Sequence, residues 1–166
     1  MRDEPAAGSE PVERDRPTES DWREWPAHME RPLDLDEAGA RRRFAGKSFD
    51  EALEVFRKFP VLGCAEDLGY MPPVPFRYYM LVFVQHVLSA AHAADKLESP
   101  DAASGLLDIV ERKLAGDRDT IAPIMNDLLA AVRFVAAHQE LYDANPGIYG
   151  DFTERAARIA SRWNDS

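Results

Sequence analysis

The chain has 166 residues, a formal net charge of −10 and 45% apolar side chains. That length makes one domain, with enough material to bury a core without disulfides or a structural metal. An excess of carboxylates repels phosphate backbones and excludes nucleic acid as an expected partner. The basic triplet Arg41-Arg42-Arg43 then reads as a solvated helix face.

Cys64 is the only cysteine, so no intramolecular disulfide can form, which fits a reducing compartment. The first residues lack the apolar run of a secretory signal and are too acidic for a mitochondrial presequence. The most apolar stretch, Tyr78 to Val84, is followed at once by Gln85 and His86. A membrane span needs about 20 apolar residues, so this stretch reads as a core helix and no membrane association is expected. A soluble, cytoplasmic protein is the expectation.

Residues 1–32 carry Pro5, Pro11, Pro17, Pro26 and Pro32, many charges and few aliphatic side chains. Such a segment cannot bury enough surface to offset its ordering entropy, so an acidic, Pro-rich flexible tail is expected ahead of a helical domain over residues 33–166. Residues 21–26 interrupt it. Trp22 and Trp25 stand three apart, on one helical face, and two large aromatics are costly to leave in water. They are expected to dock, either on this domain or on a partner.

A short helix is expected from Asp36 to Phe44, closed by Gly46. Ser48 and Glu51 form a capping box ahead of Phe49, Ala52, Leu53, Phe56 and Phe59 at helical spacing, and Pro60 stops that helix. Residues 60–75, with Gly63, Gly69, Pro72, Pro73 and Pro75, read as an irregular connection packed over the core. A central helix, apolar nearly all round and therefore buried, is expected over about residues 76–97. Ser99 and Pro100 read as N-cap and first residue of the next helix, which buries Leu106, Leu107, Val110 and Leu114. Another runs from Thr120 to about Tyr142 with Ile121, Met125, Leu128, Val132 and Val135 on one face. Asp151 and Glu154 cap the last helix, which turns Phe152, Ala156, Ile159, Ala160 and Trp163 inward and Arg155 elsewhere. No segment alternates at period 2 for long enough to be a strand. The fold class is all-α: a single bundle of five to six helices around a buried central helix.

His86 lies on the apolar arc of the central helix and reads as a core side chain. His92 is about 120° away from it around the axis, on a polar stripe with Gln85 and Asp95. A His92–Asp95 pair one turn apart can orient an imidazole for base catalysis or for metal, with His138 as a further ligand. The Glu-x-x-His motif of di-iron bundles is missing, as are phosphate loops, nucleophile elbows and Cys-x-x-Cys pairs. Cys64, beside Glu66 and Asp67, reads as a packed thiol and not a nucleophile.

In size and charge alone the chain resembles small acidic immunity proteins and antitoxin-like inhibitors, and many adaptor subunits. The expected function is a non-catalytic protein-interaction module, without a cofactor, that presents an acidic helical surface to a partner with a basic surface. Trp22, Trp25, Tyr70 and Met71 are the expected anchors. The alternative is a helical enzyme, or a metal or small-ligand binder, with a site around His92, Asp95 and His138 and with Tyr78 and Tyr79 lining a pocket. Residue spacing sets no oligomeric state.

Overall fold

The computed structural model describes residues 15–23 and 35–165. Among them there is no strand, and the chain folds as an all-α bundle. Its helices are α1 (Leu35–Phe44), α2 (Phe49–Lys58), α3 (Val61–Gly69), α4 (Pro73–Ala90), α5 (Ser99–Gly116), the single turn α6 (Arg118–Ile121), α7 (Met125–Ala137), the single turn α8 (Pro146–Tyr149) and α9 (Phe152–Asn164). Short 3-10 turns at Asp21–Arg23, Ala122–Ile124 and Gln139–Tyr142 supplement them.

The central helix is α4, which packs against α2, α3, α5, α6, α7 and the Asp21–Arg23 turn. Phe76, Tyr79, Met80, Val82, Phe83 and Val87 are fully buried along it. Each such side chain contributes about 1.5–3 kcal/mol by leaving water. Its second layer comes from Leu106, Leu107 and Val110 of α5 and from Leu128, Val132 and Val135 of α7, also buried.

The capping box at Ser48 forms as its sequence predicts: Ser48 N–H donates to Glu51 Oε2 at 2.7 Å, and Glu51 N–H to Ser48 Oγ at 3.3 Å. Asp151 caps α9 by accepting the N–H groups of Thr153 and Glu154. At its other end, the Arg118 guanidinium donates to the carbonyls of Arg162 and Trp163 and stacks over the Trp163 ring, 4.2 Å from its centroid.

Four expectations need correction. Residues 60–75 are not irregular, because α3 occupies most of them. Val61, Cys64, Ala65 and Leu68 form a buried face at i, i+3, i+4 and i+7. Burying that face outweighs the roughly 1 kcal/mol that Gly63 costs in a helix. Second, α4 stops at Ala90 instead of near Leu97. Its terminal carbonyls are taken by side chains: Lys96 Nζ donates to Ala90 O and Ala91 O at 3.2 and 2.6 Å, and Ser99 Oγ to Ala90 O at 3.1 Å. Ser99 is therefore the first residue of α5 and not its N-cap, a place taken by Glu98. Third, the helix expected over residues 120–142 is broken at both ends into 3-10 turns, although its apolar face is buried as predicted. Pro123 lacks the N–H that a continuous α-helix would use there.

The fourth correction concerns Arg155. It is 8% exposed and joins α9 to α5. Its guanidinium donates to Ser104 Oγ at 3.0 Å, to Glu111 Oε2 at 2.9 Å and to the Asp108 carboxylate. Charge-assisted bonds to two carboxylates offset the desolvation of the buried cation.

Among the described residues, one stretch, Arg118–Ala137, is long and apolar enough by length and composition to cross a membrane, and its most apolar window is half buried in the bundle.

Candidate functional site

The α4 and α7 helices run side by side in the same direction. Arg77 near the start of α4 donates to Thr120 O, ahead of α7, and Tyr142 beyond α7 donates to Val87 O. Between the two helices lies an open groove of ≈ 640 Å³. From α4 it takes Leu81, Val84, Gln85, Leu88 and Ser89, one stripe at i, i+3, i+4, i+7 and i+8, and His92 follows just beyond the helix end. From α7 come Asp127, Ala130, Ala131 and Phe134, again one stripe. Ala130 and Ala131 create the hollow, since nothing longer than a methyl group projects there. Val84 and Ala131 are buried in its floor, while Leu81, Leu88 and Phe134 are half-buried. Asp127 is the one carboxylate among the lining residues, and His92 stands exposed at the far end.

Of the residues singled out from sequence, His92 alone lines this groove. It lies beyond the end of α4, and its expected partner Asp95 instead accepts the Leu97 N–H at 2.9 Å. His138 packs on Phe134, with ring centroids 4.4 Å apart, and its Nδ1 is bonded to Phe134 O at 2.8 Å. Among the described residues no group of three or more His, Cys, Asp and Glu side chains is placed to hold a metal ion. The metal triad His92, Asp95 and His138 is thus not assembled, because α4 ends before the helical spacing of His92 and Asp95 can act. Tyr78 and Tyr79 do not line the groove either. Tyr79 is a core residue, and Tyr78 packs edge-on against Phe49 and Tyr79.

Two expected anchors prove to be core residues. Met71 is 2% exposed and Trp22 3%. Neither can meet a partner in this conformation, since each is covered by its own chain. Trp22 thus docks on its own domain, beside Tyr79, with ring centroids 6.0 Å apart. Tyr70 is exposed at the end of α3. Trp25 lies outside the described residues, as do residues 1–14 and 24–32 of the expected tail.

His86 behaves as a core side chain, stacked on Phe56 and Phe83 at 5.9 and 6.4 Å. Burial, and then the nearby Arg57 cation, hold its pKa below the usual histidine value. Burial pushes the Cys64 thiol up to about 11, which leaves it protonated and unreactive.

The groove was not foreseen as a site. Its signal is present in the sequence: α4 carries Gln85 and Ser89 beside Leu81 and Leu88, His92 follows, and the Ala130-Ala131 pair thins the neighbouring helix. Comparison with protein-family models, with curated proteins and with solved structures found no match to this chain.

Proposed function

We propose that this protein is a non-catalytic interaction module whose α4–α7 groove seats the apolar face of a helix on a basic partner. The observation that carries the reading is an open, mostly apolar groove on a chain of net charge −10. A helix laid there presents apolar residues to Leu81, Val84, Leu88 and Phe134, in the way amphipathic helices fill hydrophobic grooves. Its basic face meets Asp127 and the acidic exterior, which speeds encounter and suppresses acidic competitors. The single, buried cysteine suits a reducing cytoplasm.

The probe for the test is a synthetic amphipathic peptide with leucines at i, i+3, i+4 and i+7 and lysines on its polar face. Ala130 is exposed, so Ala130→Trp fills the groove without entering the core. We expect the peptide to bind the wild type, to lose at least about tenfold in affinity with Ala130→Trp, and to bind far better than its glutamate-faced counterpart. Equal affinity for wild type and Ala130→Trp would show that attraction to the general surface, and not the groove, does the binding.

A second reading is a small apolar ligand in the same groove. Its volume lies in the small-molecule range of roughly 300–1,000 Å³, and His92 at one end supplies a polar contact. Saturable binding of a fluorescent apolar dye, displaced by Ala130→Trp while the peptide fails to bind, favours that reading.

A further inference from the structure

The turn at Asp21–Arg23 belongs to a strap, residues 15–23, that lies against α4. Two of its side chains, Pro17 and Trp22, are buried, and the Trp22 ring meets Tyr79 on α4. Tyr79 in turn donates from Oη to Phe44 O at 2.7 Å and Lys47 O at 3.0 Å, so it pins the α1–α2 corner to α4. The polar tethers lie at the surface. Arg16 Nη1 donates to Gly46 O at 2.7 Å, and Glu19 accepts from Arg41 at 2.5 Å with its side chain 70% exposed. Within the strap, Thr18 and Asp21 bond each other through the Thr18 N–H and Oγ1.

The docked tryptophan is incompletely satisfied. Its indole Nε1–H is buried and finds no acceptor among the described residues. A buried donor without a partner gives up its bond to water and gains none in return. Tryptophan is usually placed so that this N–H reaches an acceptor, and among the described residues the ring is held by its apolar body. Undocking restores a hydrogen bond to water; re-exposing the indole and Pro17 opposes it, while the exposed ion pair and the bond to Gly46 add little resistance.

From these observations we infer that residues 15–23 form a reversible latch that lifts off α4 as a unit while the bundle stays folded. Lifting it uncovers an indole-sized hollow over the Tyr79 ring, at the corner of α1, α2 and α4. In the closed state Trp22 is the built-in occupant of that hollow. The latch belongs to the low-stability end of the molecule, where local opening occurs well below the free energy of global unfolding.

Native-state hydrogen exchange of the full chain, read by nitrogen-15 NMR in increasing sub-denaturing urea, tests this. The Trp22 indole N–H is compared with the Phe83 and Val84 amides of α4, in the wild type and in an Arg16→Gln, Glu19→Gln double variant. We expect the indole to exchange at least about a hundredfold faster than the α4 amides, with little dependence on urea. In the double variant it should exchange about fivefold faster still, with the α4 amides unchanged. The latch is refuted by an indole that shares one urea-dependent rate with α4. It is refuted equally by an indole rate that the double variant leaves unaltered, since that would mark a local fluctuation at the ring and not the lifting of the strap.

Discussion

Tyr142, in the 3-10 turn after α7, donates its hydroxyl to the carbonyl of Val87 at 3.1 Å, across 55 positions of sequence. Val87 lies in the last turn of α4, where carbonyls have no partner within the helix. Tyr142 is fully buried, and burial raises its pKa, so the hydroxyl remains a donor at all ordinary pH values. Together with Lys96 and Ser99 it decides where the central helix ends.

Tyr142→Phe keeps the ring and removes the donor. The expected cost is about 1–2 kcal/mol, because Val87 O is left without this partner. Chemical denaturation measures it, and amide exchange should show the loss concentrated in the last turn of α4.

Gly105 faces α3 and α4 at close range. A methyl group built there meets Ala65 Cβ and Phe83 Cζ, each at 3.7 Å, which is ordinary contact. Gly105→Ala should therefore stabilise the protein by about 0.5–1 kcal/mol, since alanine loses less backbone entropy in a helix. Gly105→Leu, by contrast, overpacks the α3–α4–α5 junction and should cost about 2 kcal/mol or more. Thermal melts of both variants check the change of sign.

His86 has a folded pKa lowered from 6.5 by burial first and by Arg57 second. The unfolded chain therefore binds the proton at a higher pH than the folded one. Stability from this residue is fully present above about pH 6.5 and declines as the pH falls through 6.5 toward the folded value. His86→Phe retains the stack on Phe56 and Phe83. In denaturation at pH 7.5 and pH 5.5, the wild type should lose more stability than the variant on acidification.

Cys64 should be inert in the folded state. It is fully buried, and its thiol titrates near 11, so almost no thiolate exists at pH 8. Reaction with an aromatic disulfide reagent should follow the rate of global opening, and should become rapid in denaturant. Stoichiometric labelling within seconds under native conditions would show that α3 opens locally.

The legible parts of the fold were those set by neighbours in the chain. Ser48 with Glu51 and Asp151 with the first turn of α9 act over three residues, and both helix starts fall where those residues place them. The apolar face Ile121, Met125, Leu128, Val132 and Val135 was equally legible, because burial follows helical periodicity. The candidate groove was much less so. Reading α4 as buried all round obscured its Leu81–Leu88 stripe, and only His92 among the lining residues had been marked. Whether a partly apolar stripe is covered depends on what the neighbouring helix projects. Ala130 and Ala131 are too small to fill the space, and a sequence does not show which residues stand opposite one another.

By itself, the sequence determined an acidic all-α chain, the starts of α2 and α9 and the apolar face of α7, because capping and amphipathicity act within a few residues. The tertiary structure decided the rest. It made α3 a helix despite Gly63, since burying Val61, Cys64, Ala65 and Leu68 outweighs a local propensity. It ended α4 at Ala90 through donors from Lys96, Ser99 and Tyr142. It placed Arg155 between two carboxylates and Trp22 over Tyr79. Each of these depends on groups far apart in the chain, whose meeting is set by packing and by the need to satisfy buried polar atoms.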